Sequence, residues 1–322
     1  MTLAFRILAA FAWFGLCALP AQADTPLLGQ GRGLDHIGIA VRDLSDATRD
    51  FRLLGFNVRP GGRFPGGLSN AVCSFGDRSY LELLSVAPNY GKEAADVGDF
   101  LKKHEGPMFL GLNTSSAKAA ADALKARDFD AVGPEPGSIM TGDEKKPPPP
   151  MWYDVYTPDK PAKGKRGLTL PVFFIQYLDQ KQRDADRFTA AATNHPSGAL
   201  GVRAVWFAVH DLKARLDEMR GAGFAPAGRA VAFAGLRGRA VAAGIGDVNL
   251  LQAAAGSKAD DGTIVAVSIA VKDLAKARAL AEAATRSKLA VYDGTYGKSI
   301  LLPAASTHGA SIELVQKAQD SD

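Results

Sequence analysis

Cysteine is nearly missing from this 322-residue chain, which holds two, Cys17 and Cys73. That excludes a scaffold built on disulfides. An excess of one charge is missing as well. The 38 Lys and Arg face 34 Asp and Glu and interleave with them along the sequence, which excludes a dedicated nucleic-acid surface. Long apolar runs are also lacking: Ile7–Leu19 falls short of the ~20 residues a bilayer span requires, and no later segment comes closer. Apolar content itself is ordinary, 47% hydrophobic against 22% charged, so a wholly disordered chain is excluded too. The length exceeds the usual ~100–200 residues of one domain, and two domains are expected.

Met1–Ala23 carries a basic residue (Arg6), an apolar stretch, Pro20 and then Ala21-Gln22-Ala23. That order predicts a secretory signal cleaved after Ala23, and hence a periplasmic or secreted protein with no membrane span in the mature chain. Bulky Leu16 argues against a lipoprotein anchored through Cys17. Losing Arg6 takes the basic count from 38 to 37 and the net charge from +4 to +3. Cys73 then remains alone in the apolar run Ala71–Phe75 and reads as a small core residue.

The chain repeats itself. Ile37-Gly38-Ile39-Ala40-Val41-Arg42-Asp43-Leu44 returns as Val205–Leu212 and as Val267–Leu274, with a degenerate copy over Leu110–Ala117. Each copy predicts a buried strand, an Asp or Ser N-cap and a helix rich in Ala, Leu, Lys and Arg. Gly55-Phe56 and Gly223-Phe224 close two of the helices. Further strand runs follow in each copy: Ala71–Phe75 and Tyr80–Val86; Trp152–Tyr156 and Pro171–Leu178; Arg239–Ala243 and Val248–Gln252; Ser299–Leu302 and Ala310–Gln316. The unit is one strand, one helix and three strands, used four times. It predicts an α+β fold with helices on mostly antiparallel sheets. The polar stretch 180–199 reads as a linker between domains at 33–179 and 200–317. Gly133–Pro150 and Thr157–Thr169 read as solvated loops, with a lid over a site as the sharper alternative.

Leu34-Asp35-His36-Ile37-Gly38-Ile39-Ala40-Val41, the helix ending at Leu54-Gly55-Phe56, and Tyr80-Leu81-Glu82-Leu83 resemble the vicinal oxygen chelate (VOC) superfamily, and within it the glyoxalase-like domain proteins. Pro171–Gln176 and His195-Pro196-Ser197-Gly198 extend the likeness over nearly the whole mature chain. The resemblance implies four βαβββ modules in two domains, each sheet a cup that holds a divalent metal and a substrate with adjacent oxygens. It puts His36 and Glu82 in first-strand and last-strand ligand positions and Gln176 in the last-strand position of the second module, with Glu82 doubling as proton shuttle. His195 is a further candidate ligand. Phe109 stands where the second module would offer its first-strand ligand, and a full four-ligand site is incomplete there. Nitrogen and oxygen donors suit Zn, Ni, Mn, Fe or Co alike. Arg78, Arg63, Asn70, Trp152 and Tyr177 are candidates for contact with substrate. In the second domain Ala204 and Ala266 replace the histidine and only Glu313 keeps a carboxylate, so that half reads as a degenerate copy serving stability or partner contact.

Two functions are implied. One is a metal-dependent lyase or isomerase acting on a small oxygenated substrate, with a ring-cleaving dioxygenase as a variant. The other is a protein that sequesters a small molecule without chemistry. A homodimer is left open.

Overall fold

In the computed structural model, residues 27–140, 142, 148–226 and 228–317 are described; the expected signal segment lies outside them. The elements run β1 (Leu34–Ala40), α1 (Leu44–Leu53), β2 (Arg59–Phe64), β3 (Leu68–Ser74), β4 (Tyr80–Val86), α2 (Ala95–Lys103), β5 (Gly106–Asn113), α3 (Ala117–Lys125), β6 (Val132–Gly137), β7 (Trp152–Tyr156) and β8 (Val172–Tyr177). Two helices, α4 (Gln180–Arg187) and α5 (Ala190–Thr193), lead on to β9 (Ala199–Val209), α6 (Leu212–Ala222), β10 (Ala230–Phe233), β11 (Leu236–Ala242) and β12 (Asp247–Gln252). The last module is β13 (Thr263–Val271), α7 (Leu274–Thr285), β14 (Tyr292–Gly294), β15 (Gly297–Leu302) and β16 (Ile312–Gln316).

The caps expected from the repeat set the four module helices. Asp43, Ser116, Asp211 and Asp273 are extended, and each accepts the N–H three residues on, at Asp46, Ala119, Ala214 and Lys276. This satisfies a backbone donor that the first turn would otherwise leave open. Gly223 ends α6 at φ +112°, a conformation that costs glycine nothing.

The strands form two eight-stranded sheets of identical connectivity, β2-β3-β4-β1-β5-β8-β7-β6 and β10-β11-β12-β9-β13-β16-β15-β14. In the first, β1 pairs antiparallel with β5, while β1–β4 and β5–β8 are the parallel pairs. The edge strands β2 and β6 carry Pro60, Pro134 and Pro136, where a missing N–H breaks no central ladder, and Pro107 stands near the start of the central strand β5.

Both sheets bury their helix-covered faces in one core. Ile37, Ile39, Phe51, Leu81, Leu112 and Phe174 share it with Val205, Phe207, Met219, Val267 and Leu314, and the Phe174 ring lies over Phe224 at 6.1 Å. The domains are also joined through backbone, Leu34 N–H donating to Ile245 O at 2.9 Å and Asp77 N–H to Leu200 O at 3.3 Å, and Ser197 N–H of the connecting stretch donates to Gly55 O at 3.0 Å. The concave faces therefore turn away from each other.

The 180–199 stretch is not a plain linker: it holds α4 and α5, and α4 has no buried residue. Its charged faces carry no apolar stripe, the signal by which a helix is recognised in sequence.

Candidate functional site in the first sheet

Because side chains alternate across a strand, the residues that leave the shared core line the concave face. They enclose a cavity of about 860 Å³. His36 of β1, Tyr80 and Glu82 of β4, Phe109 of β5 and Phe173 of β8 meet there, with Arg183 and Arg187 of α4 at its border. The second cup is filled instead: Trp206, Val231, Phe233 and Leu251 pack together with Tyr296.

Two glycines make room for the central rings. In the β1–β5 ladder His36 lies opposite Gly111 and Gly38 opposite Phe109. A Cβ on Gly111 would sit 2.5 Å from the His36 ring, and one on Gly38 2.3 Å from the Phe109 ring. The His36 imidazole stacks on Tyr80 with 4.6 Å between centroids and meets Phe109 and Phe173 edge-on.

A register shift in the β1–β5 ladder between Leu34 and His36 re-aims Asp35, as bulges do. The Asp35 carboxylate accepts from His36 Nδ1 at 2.8 Å, from the Tyr177 hydroxyl at 2.8 Å and from Arg183 Nη2 at 3.0 Å. Burial alone would raise the Asp35 pKa, but Arg183 and then His36 more than offset that and hold it at about 2. An ionised Asp35 can only accept, which puts the Nδ1 hydrogen on His36. His36 Nε2 then faces Glu82 Oε2 at 3.4 Å, a contact that is attractive only with a proton between them. Asn70 Nδ2 donates to the other Glu82 oxygen. Burial drives Asp154 the opposite way, up to about 7 against the Trp152 hydrogen bond that lowers it, and its Oδ1 is buried without a hydrogen-bond partner.

Of the residues named from sequence, His36, Glu82, Asn70, Trp152 and Tyr177 border this one cavity. Four others lie elsewhere. Gln176 sits between Ile175 and Tyr177, which do border the cavity, so it projects from the opposite face of β8; its Oε1 accepts Ala117 N–H at 2.8 Å and so caps α3. The bridge pattern puts Phe173 opposite Gly111 as Glu82 is opposite Gly38, so the last-strand position of the second module is an aromatic. His195 has both ring nitrogens engaged, Nδ1 accepting Asn57 N–H at 2.8 Å and Nε2 donating to Ser74 O at 2.9 Å, and it offers no lone pair to a metal. Arg78 lies at a turn with φ +74°, its side chain 68% exposed and facing Asp184 at 3.4 Å. Arg63 is exposed on edge strand β2. Asp35, Tyr80, Asp154, Arg183 and Arg187 join the site without having been expected.

A divalent metal, implied by the resemblance, is not matched by this donor set. With Gln176 and His195 turned elsewhere, His36 and Glu82 are left as a pair. Among the described residues no cluster of three His, Cys, Asp or Glu side chains is assembled to hold an ion, where metal sites with open positions keep three protein ligands.

Residues 34–221 match the family model described as a glyoxalase-like domain. No curated protein matches the chain. Among solved structures, a hypothetical protein from Staphylococcus aureus is similar at 14% identity, over 88% of this chain and 98% of the other, with a TM-score of 0.59. A mutant of 4-hydroxymandelate synthase from Streptomyces coelicolor is similar at 12% identity, over 90% and 94%, with a TM-score of 0.56. A fusion of a xylose isomerase-like TIM barrel with 4-hydroxyphenylpyruvate dioxygenase is similar at 15% identity, over 90% of this chain and 50% of that one, with a TM-score of 0.54. These likenesses concern the fold, a pair of cup-shaped α+β domains; the family match spans more than half of the sequence, and the chain belongs to the glyoxalase-like domain family of the VOC superfamily.

Proposed function

We propose that the first cup binds a small organic molecule and moves a proton on it, an isomerase- or lyase-type reaction with Glu82 as the base and His36 holding it. The observation that carries this is the line Asp35–His36–Glu82 on the cavity floor, with 2.8 Å on one side of the imidazole and 3.4 Å on the other. Asp35 orients the ring and stabilises its cation, the Nε2 proton holds one Glu82 oxygen, and the Glu82 carboxylate takes a proton from the substrate carbon, leaving an enolate, and returns it to the product. Asn70 fixes the Glu82 carboxylate, and the rings of Tyr80, Phe109 and Phe173 keep water from the reacting atoms. No step here passes through a metal.

Sequestration without chemistry is the second reading. It is favoured by the mutual pairing of Tyr80, Tyr177, Asp35 and His36, which leaves the floor already satisfied. Purified protein incubated in D2O with a panel of 2-oxo and 2-hydroxycarbonyl compounds separates the two. The catalytic reading expects deuterium at the carbon next to the carbonyl, seen by proton NMR and lost in Glu82→Gln. Ligands that bind without exchange would leave the sequestration reading.

A further inference from the structure

The polar helix between the domains brings three charged side chains to the cavity, and they are not equivalent. Arg183 is held from two sides: it pairs with Asp35 at 3.0 Å and Asp184 at 3.0 Å, and its guanidinium lies 4.0 Å from the Tyr177 ring centroid, while its buried Nε has no hydrogen-bond partner among the described residues. Asp186 accepts from Gln182 Nε2 at 2.9 Å. Arg187 has no such partner. Its guanidinium lies 4.5 Å from the centroid of Tyr80, the ring that stacks on His36. Among the described residues no carboxylate stands within ion-pair distance of it, and its side chain donates no hydrogen bond. Arg59 of β2 donates to the Arg187 carbonyl at 2.9 Å and likewise has no carboxylate partner among those residues. Two guanidiniums thus border an apolar cavity without a carboxylate partner among the described residues, and that of Arg187 has its whole fork unused, where one arginine beside another ordinarily finds a counter-ion.

We propose that Arg187, with Arg59 beside it, is the anion clamp of the first cup, and that it binds the carboxylate of a ligand whose apolar body lies against Tyr80, Phe109 and Phe173. A planar guanidinium and a carboxylate match as a two-point pair. A single negative charge fits better than a phosphate dianion, because Asp179 and Asp186 stand on the same rim. The cavity volume lies in the range of sites for small organic ligands. The assignment rests on the first cup being a small-molecule site and not on its doing chemistry.

The test uses the full chain, with 1-naphthylacetate as probe and 1-naphthylacetamide as its neutral counterpart, by calorimetry at low salt. The acid is expected to bind at least about tenfold more tightly than the amide, and Arg187→Gln to erase that preference. Arg187→Lys, which keeps the charge and loses the fork, is expected to fall between, and circular dichroism checks that both variants fold. Protein that shows no deuterium exchange but keeps the preference for the acid refutes the catalytic reading and leaves the clamp standing. Equal affinity for acid and amide, binding of neither, or an undiminished preference in Arg187→Gln would overturn the clamp.

Discussion

Gly111 lies directly across the β1–β5 ladder from His36, and the space a Cβ would fill there is taken by the imidazole: 2.5 Å to Cε1 and 2.7 Å to Nδ1. Gly111→Ala therefore pushes the ring off its Asp35 hydrogen bond. Overpacking of this kind costs about 1–3 kcal/mol. The expected outcome is a protein that still folds cooperatively in urea but whose imidazole signals shift in heteronuclear NMR and whose proton-exchange activity is lost. An unshifted His36 resonance in the variant would show that the ring is not held by that contact.

Asp35 holds His36, Tyr177 and Arg183 at once. Replacing it by Asn removes one of the two carboxylates paired with Arg183, whose side chain is 10% exposed, and leaves Asp184. Breaking a buried pair from one side costs about 3–5 kcal/mol. Because Asp35 is held at about 2, below its unfolded value of 3.8, its contribution is complete above that unfolded value and is lost as pH falls through the folded one. Urea titrations at pH 7 and pH 2 check this: the gap between Asp35→Asn and the unmodified protein is expected to be wide at pH 7 and to narrow toward pH 2. A constant gap would put the effect down to shape rather than charge.

Gln176, Asp35 and the two arginines of α4 escape the sequence pattern for physical reasons. In a strand a step of one residue changes the face. Gln176 and its cavity-facing neighbours Ile175 and Tyr177 therefore look equally apt until the ladder fixes which of them points inward. Asp35 was hidden for the opposite reason, since regular alternation puts it away from His36 and only the bulge turns it back. Arg183 and Arg187 sit on a helix with no apolar face, which reads as linker. By contrast the strands, the caps and the fourfold module are local patterns, and Asp43, Ser116, Asp211 and Asp273 announce them. His36 and Glu82 were legible because they stand inside the best-preserved copy of that pattern.

Asp154 is expected to make stability fall with rising pH. Burial favours its protonated form in the folded protein, with a value of about 7 against 3.8 unfolded. The contribution is then complete below the unfolded value and is lost as pH rises through about 7. Asp154→Asn keeps an acceptor for Trp152 Nε1 and removes the charge. Melting temperatures measured from about pH 5 to 8 should fall less steeply in the variant than in the unmodified protein, leaving the variant the more stable at the alkaline end. Parallel curves would mean that Asp154 is ionised throughout.

His195 ties three segments together, from Asn57 N–H through the ring to Ser74 O, with Phe75 at 5.0 Å between centroids. Its removal leaves a donor and an acceptor without partners, and His195→Ala is expected to cost about 1–3 kcal/mol for each such group. Burial lowers its pKa below 6.5, so the neutral ring is the folded form. Its contribution is complete above 6.5 and declines as pH falls below that. Metal content should be the same with and without His195, because neither nitrogen is free to ligate; a loss of bound metal in the variant would reverse that assignment.

Trp206 explains why the second cup is closed. It pairs with Asn249 as Gly38 pairs with Glu82, so the position that is empty in the first sheet holds an indole in the second. Its Nε1 donates to Ser268 Oγ at 2.7 Å, Ser268 in turn donates to Glu313, and the ring meets Phe233 at 5.1 Å and Tyr296 at 5.8 Å. Glu313 also accepts from Tyr292 at 2.9 Å, and the carboxylate that survives from the module pattern is spent inside the fold. Trp206→Ala should therefore cost about 3–5 kcal/mol in urea unfolding, the range for truncating a buried aromatic. Trp206→Phe should cost less, since it keeps most of the ring and loses the hydrogen bond. Because the two concave faces point apart, both variants should bind 1-naphthylacetate in the first cup as the unmodified protein does below their unfolding midpoints. A parallel loss of that binding would show that the filled cup supports the hollow one through the shared core.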